Sequence, residues 1–97
     1  MKGYWIILGT AVSDEAAQQE YGRLWAPIGE KYQARLRPAA AAPLLKEKRD
    51  TARIVVVEFP SLAAAKACCD DPAYQAAMRF ALKASKRDFL IFEGELA

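Results

Sequence analysis

Apolar runs alternate with amphipathic stretches along the chain, and their order predicts the fold. Two segments, Tyr4–Val12 and Arg53–Phe59, are apolar at nearly consecutive positions, which is typical of strands buried on both faces. Asp88–Gly94 has the same character and predicts the last strand. Between the first two, apolar residues recur at spacings of three and four, which predicts a helix whose apolar stripe is Ala17, Tyr21, Leu24, Trp25, Ile28 and Tyr32.

Capping signals place the helix ends. Ser13, Asp14 and Glu15 form a cap and an acidic first turn for the first helix, and Pro27 inside that helix predicts a kink or a restart. Ser61 predicts the cap of a helix over residues 62–69. A second helical piece is predicted to restart at Asp71 and Pro72, since a cap followed by a first-turn proline is a common helix start, and its stripe is Tyr74, Met78, Ala81, Leu82 and Ser85.

The region between the first helix and Arg53 has the weakest pattern. Residues 34–37 alternate in the manner of a half-exposed strand, 38-PAAAAP-43 interrupts them, and 44-LLKEK-48 is compatible with a further short edge strand. The order is then β-α-β-(β)-β-α-β. This order predicts one domain over residues 1–97, an α+β ferredoxin-like sandwich of helices on an antiparallel sheet.

The first strand also indicates an assembly. Tyr4, Ile6 and Leu8 lie on one face of it, and Trp5 and Ile7 lie on the other. Helices cover only one face of such a sheet, so something else must cover the second apolar face. The simplest candidate is a second copy of the same sheet, and we therefore expect a homodimer formed by sheet faces.

Composition narrows the function classes. The chain is 54% hydrophobic and 27% charged with a formal net charge of +2, which is globular and gives no reason to expect a nucleic-acid partner. The basic residues Lys46, Lys48, Arg49 and Arg53 are interrupted by acids, and we interpret them as a solvated hairpin loop. No apolar stretch reaches transmembrane length, so no membrane partner is expected.

Residue types that are missing or scarce restrict the chemistry further. The sequence contains no histidine and no asparagine, which removes the commonest general base and the commonest transition-metal ligand. Cys68 and Cys69 are adjacent, and neighbours on a helix do not face each other, so we expect reduced thiols in a cytoplasmic protein. The apolar N-terminus is assigned to the first strand rather than to a signal peptide. We expect no metal and no cofactor.

Five pieces of the chain resemble a known family in order over nearly the whole length: 3-GYWI-6, 31-KY-32 with Arg35, 56-VVEFPSLAAAKA-67, 71-DPAYQA-76 and 93-EG-94. They are similar to the family called domain of unknown function 1330. The resemblance implies a ferredoxin-like protomer of the dimeric α/β-barrel superfamily, in which two sheets enclose a cavity. Relatives of that architecture include small monooxygenases, muconolactone isomerases and ligand-sensing regulator domains.

Glu58 is the most informative polar residue, because it lies at the end of an apolar strand. It shares a face with Ile54 and Val56, while Val55, Val57 and Phe59 point the other way. An unpartnered carboxylate is unfavourable against helices, so we expect Glu58 to face the barrel. The candidate ligand-binding residues on that side are Tyr4, Ile6, Leu8, Thr10, Arg35, Arg37, Val56 and Glu58.

Three roles are open for Glu58: an ion pair with an arginine, a contact to a ligand, or a general base. They lead to two function classes. In the first, which we favour, a homodimer binds a small, largely apolar metabolite in the barrel cavity. In the alternative, the protein is a cofactor-independent enzyme of isomerase or monooxygenase type that uses Glu58 as its acid or base.

Overall fold

The described residues fold as one four-stranded antiparallel sheet with three helices. The computed structural model describes residues 1–36 and 43–96. The elements are β1 (Lys2–Gly9), α1 (Glu15–Lys31), β2 (Arg35–Leu36), β3 (Arg53–Phe59), α2 (Leu62–Asp70), α3 (Pro72–Ala84) and β4 (Arg87–Gly94). The sheet order is β2-β3-β1-β4, with every pair antiparallel. The predicted ferredoxin-like α+β sandwich is confirmed.

Each helix begins at the capping residue that the sequence indicates. The Ala17 amide donates to Asp14 Oδ1 at 3.0 Å at the start of α1. At α2, the Ala64 amide donates to Ser61 Oγ at 3.1 Å. Asp71 serves α3 in the same way, and Pro72 occupies the first turn, where a missing N–H has no cost. These caps satisfy amide donors that have no partner inside the helix.

Pro27 does not interrupt α1. The helix runs from Glu15 to Lys31 with Pro27 inside it, so the predicted alternative of a restart is wrong, while the alternative of a kink stays a prediction. Proline lacks the N–H that would bond to the Arg23 carbonyl, but both residues are exposed, and water can solvate that carbonyl. Packing of the buried Ile28 against the core holds the segment after the proline in the same helix.

The middle of the chain contributes less sheet than the sequence indicates. In the predicted strand of residues 34–37, only Arg35–Leu36 is described as strand, and residue 37 lies outside the described residues. The further edge strand over residues 44–48 is wrong, because this stretch is exposed and has no strand structure. Three of its five residues are charged, so it offers the sheet no apolar face to bury.

The two faces of the sheet are oriented as the sequence predicts, one towards the helices and the other away from them. Trp5 is completely buried between sheet and helices, with its ring centroid 4.9 Å from each of the rings of Phe59, Tyr74 and Phe89. Its indole N–H donates to the Ala65 carbonyl at 3.0 Å, so the one polar atom of the Trp5 side chain is satisfied. We call the opposite side, which carries Tyr4, Ile6, Leu8, Ile54, Val56 and Glu58, the open face.

Candidate functional site

The open face brings most of the predicted site residues together. Tyr4 lies opposite Glu58 and Ile6 lies opposite Val56 in the β1–β3 pairing, while Arg35 of β2 lies opposite Glu58 on the other side of β3. Leu8 continues the same face of β1. The register therefore places these six residues in one contiguous area of the sheet.

Thr10 and Arg37 do not join that area within the described structure. β1 ends at Gly9 rather than at Val12, and Thr10 lies in the following loop, where its Oγ1 accepts from the Lys86 amide at 3.0 Å. Its hydroxyl also donates to the Ala11 carbonyl at 3.3 Å. Arg37 lies outside the described residues. The site assignment for the open face thus remains a prediction.

Glu58 forms an ion pair that sequence reasoning missed. The residue is only 5% exposed, and Lys2 Nζ lies 3.3 Å from its Oε1. Lys2 occupies the first position of β1, two residues before Tyr4 and therefore on the same face of the strand. That spacing is the signal by which Lys2 could have been found. The contact is consistent with a structural role for the carboxylate.

The Tyr4 hydroxyl is also engaged within the protomer. Its Oη accepts a hydrogen bond from the Leu96 amide at 3.1 Å, and its ring stacks on Phe92 with centroids 5.5 Å apart. The residue is 1% exposed. On the same face, Ile54 and Leu90 remain 41% and 51% exposed, so the open face presents apolar surface to solvent.

A separate cavity lies on the other side of the sheet, beneath α1, and sequence reasoning missed it. This helix-side cavity has a volume of about 210 Å³. Its walls come mainly from aromatic and aliphatic side chains of β1, α1 and β3, namely Trp5, Ile7, Tyr21, Trp25, Val55 and Val57. The sequence showed these residues only as core positions, because a periodic pattern does not reveal where packing leaves a space.

Two arginines, Arg53 and Arg87, line one end of the helix-side cavity. Both lie opposite Gly9 of the central strand β1, Arg53 across β3 and Arg87 across β4. A Cβ atom at Gly9 would lie 2.8 Å from Arg53 Nη2, so the glycine leaves the room that the guanidinium occupies. The Arg53 Nε donates to the Thr10 carbonyl at 2.9 Å, and Nη2 donates to Ser85 Oγ at 3.0 Å. Arg53 is thus half-buried rather than part of a solvated loop.

Arg87 is held against aromatic rings. Its guanidinium carbon lies 5.4 Å from the ring centroid of Tyr21 and 5.5 Å from that of Phe89, within cation–π range. Its Nη2 donates to Tyr74 Oη at 3.3 Å, and Tyr74 Oη lies 3.1 Å from Tyr21 Oη. Burial raises the pKa of Tyr74, so this hydroxyl stays neutral. The Arg87 Nε is buried and has no hydrogen-bond partner among residues 1–36 and 43–96.

The thiol of Cys68 is shielded from solvent and is a poor nucleophile. Both cysteines are free thiols, and Cys68 is completely buried. Burial raises the pKa of the Cys68 thiol to about 12, so the nucleophilic thiolate is scarce at neutral pH. Within the described parts of the chain, no group of three or more His, Cys, Asp and Glu residues is arranged to hold a metal ion.

The fold and the two sheet faces define a ferredoxin-like protein, and sequence comparison identifies the family. The model of the family named Domain of unknown function (DUF1330) matches residues 2–95. The chain therefore belongs to the DUF1330 family, as its sequence motifs indicate. No curated protein shows significant similarity to it.

Solved structures share the fold at low sequence identity. A protein of unknown function from Rhodopseudomonas palustris aligns with a TM-score of 0.72 and 16% identity over 99% of this chain and 84% of that one. A dimeric ferredoxin-like protein of unknown function from Jannaschia sp. CCS1 gives 0.64 and 13% over 97% and 100%. SnoaB, a cofactor-independent oxygenase from Streptomyces nogalater, gives 0.61 and 10% over 99% and 95%. These likenesses establish the fold.

A helix can cross a bilayer only if it is both long and apolar. In the described ranges, no helix combines the length and the apolar character needed to cross a bilayer.

Proposed function

We propose that the protein is a homodimeric small-molecule-binding protein that holds a small, largely apolar ligand in the helix-side cavity of each protomer. The sequence-based hypothesis placed the ligand on the open face instead. There, Glu58 pairs with Lys2 and the Tyr4 hydroxyl bonds to Leu96. Polar groups that are already engaged within the protomer favour a structural role for that face.

The observation that carries the proposal is the size and lining of the helix-side cavity. Its volume of about 210 Å³ lies just below the range of roughly 300–1,000 Å³ that holds drug-sized ligands. An apolar cavity of about 150 Å³ in another protein is known to bind benzene. The cavity therefore matches a molecule with one ring and a small substituent. Trp5, Tyr21 and Trp25 provide flat surfaces for such a ring.

Homodimerisation is the proposed use of the open face. Tyr4, Ile6 and Val56 lie there together, with partly exposed Ile54 and Leu90 around them. A second copy of this sheet would remove that apolar area from water and complete a barrel. The protein from Jannaschia sp. CCS1, which shares the fold, is dimeric, and this supports a dimer without specifying its interface.

Catalysis by Glu58 is the weaker alternative. The likeness to SnoaB, a cofactor-independent oxygenase, is one of fold at 10% identity. Glu58 also lies on the opposite side of the sheet from Val55 and Val57, which line the helix-side cavity. A carboxylate separated from the ligand by the sheet is not positioned to take a proton from it.

Binding of benzyl alcohol, followed by ligand-observed NMR, tests the proposed function. We expect the wild-type protein to bind this neutral probe. Val55→Phe should abolish binding, because the added ring fills the cavity that Val55 lines. Leu82→Phe is the matched control, since it adds a ring at an exposed position of α3 and should leave binding unchanged. Binding that survives Val55→Phe would place the ligand elsewhere and refute the proposal.

A further inference from the structure

We propose that the ligand of the helix-side cavity is a small aromatic carboxylate whose anionic group binds Arg87, with Arg53 as a second cation. This inference rests on the proposed function, because it concerns the same cavity. It adds the chemical class of the ligand. The neutral walls select a single ring, and the two arginines select a negative charge at one end of it.

The hydrogen-bonding state of Arg87 is the first support. Nε is buried and unpartnered within the described structure, although buried polar atoms are almost always hydrogen-bonded. Arg87 itself lines the helix-side cavity. A carboxylate oxygen in the cavity would supply the missing acceptor. Guanidinium groups bind carboxylates through two parallel N–H···O bonds, which matches a planar anion better than a neutral hydroxyl.

The local charge balance is the second support. Arginine stays protonated under all ordinary conditions, so Arg53 and Arg87 bring two positive charges to one end of the cavity. In residues 1–36 and 43–96, neither guanidinium forms an ion pair with a carboxylate. Their described hydrogen-bond acceptors are neutral oxygens of Thr10, Ser85 and Tyr74. Two like charges close to an apolar space repel each other, and an anion bound beside them would offset this repulsion.

The surrounding structure indicates a preorganised site rather than a chance pair of surface arginines. Gly9 lies between the two arginines on the central strand, and it lacks a side chain that would compete with the Arg53 guanidinium for space. The hydrogen bonds to Ser85 and Tyr74 fix each side chain in place without neutralising it. Both guanidinium groups are therefore positioned before a ligand arrives, which reduces the entropy lost on binding.

The experiment compares benzoate with benzyl alcohol, two single-ring probes that differ in charge. Dissociation constants are measured for each by ligand-observed NMR on the wild-type protein. We expect benzoate to bind at least about tenfold more tightly, because its carboxylate can form charge-assisted hydrogen bonds with a guanidinium group. Arg87→Met should remove this preference while benzyl alcohol still binds. Arg79→Met, which removes an exposed arginine of α3, is the control and should retain the preference.

The outcomes separate the two proposals. Equal affinity of the wild-type protein for both probes would overturn the anionic ligand and leave the apolar cavity as the binding site. If neither benzoate nor benzyl alcohol binds, both proposals are overturned together. The wild-type comparison decides the inference even if Arg87→Met does not fold. Arg87→Lys then serves as the second variant, and it should weaken benzoate binding, because lysine keeps the charge but not the two-pronged geometry.

Discussion

Asp71 shows how one side chain can organise the junction of α2 and α3. Its Oδ1 accepts from the Ala73 amide at 2.8 Å. Its Oδ2 accepts from Tyr32 Oη at 2.6 Å and from Lys31 Nζ at 3.1 Å. The Tyr32 hydroxyl, the Ala73 amide and Lys31 hold the pKa of Asp71 at about 2, below its usual 3.8. The charged form of Asp71 is therefore favoured in the folded protein.

Because the pKa of Asp71 is depressed, the direction in which the free energy of unfolding changes with pH can be predicted. The stabilisation from ionised Asp71 is fully present above pH 3.8 and is lost as the pH falls through about 2. Asp71→Asn keeps a side-chain oxygen for the cap and removes the charge. Urea unfolding should show the wild type more stable than this variant above pH 4, with the difference shrinking between about pH 4 and pH 2. A difference that stays constant across this window would show that the charge contributes nothing.

The sequence revealed individual residues only where a local rule applied. The caps Asp14, Ser61 and Asp71 follow from residue type and position, and strand alternation gives the face of Glu58. The Lys2 partner of Glu58 is distant in sequence, as are the groups around Arg87. Such contacts depend on strand register and side-chain packing, which a pattern of apolar positions does not specify.

At the scale of the element, α1 forms one wall of the helix-side cavity although its sequence is unfavourable for a helix. Gly22 and Pro27 both lie inside it, and both residue types weaken helices. The helix persists because its apolar stripe packs on the core, with Ile28 buried and Leu24 and Trp25 against the cluster. Tertiary packing thus outweighs local propensity in this element.

Two glycines of α1 provide a matched pair of substitutions. A Cβ at Gly22 would meet no atom within 4 Å, so Gly22→Ala should raise the free energy of unfolding by about 0.5–1 kcal/mol through helix propensity. A Cβ at Gly29 would lie 3.0 Å from Trp25 Cζ2, so Gly29→Ala should gain less or lose stability. Urea denaturation measures both. An equal gain at the two positions would contradict the close packing of Trp25 on Gly29.

The order of elements followed from the sequence because each element has its own periodicity and end signals. β3 begins and ends at the predicted residues, and the break between α2 and α3 falls at the predicted Asp71–Pro72 step. The predicted strand over residues 44–48 failed, because two leucines followed by alternating charges resemble an edge strand without supplying a buried face. Composition alone does not distinguish an edge strand from an exposed stretch of similar residues.

At the scale of the whole molecule, the sheet separates two proposed functions. The helix side carries the cavity with its two arginines, and the open face is the proposed contact between protomers. Strands that are apolar on both faces made the second surface foreseeable from the sequence. The cavity was not foreseeable, because its lining residues look like any other core.

The proposed dimer should have twice the mass of one chain and should be disrupted by a charge introduced on the open face. Light scattering at micromolar concentration should give about twice the mass of the 10.7 kDa chain. Ile6→Asp should dissociate the dimer or prevent folding, since it would bury an unpaired charge at the open face. Leu82→Asp, at an exposed position of α3, is the control and should remain dimeric. A stable wild-type monomer at this concentration would exclude the sheet-to-sheet assembly.

The position of a bound probe on the protein tests the central claim most directly. Val55 and Val56 are adjacent in β3 but point to opposite sides of the sheet, so their methyl groups report on the two candidate locations separately. Methyl NMR spectra of the isotopically labelled protein should be recorded during titration with benzoate. We expect saturable shifts at Val55 and Val57, with Ile6 and Val56 little changed. Shifts concentrated at Ile6 and Val56, or no saturable shift at any of the four residues, would contradict the central claim.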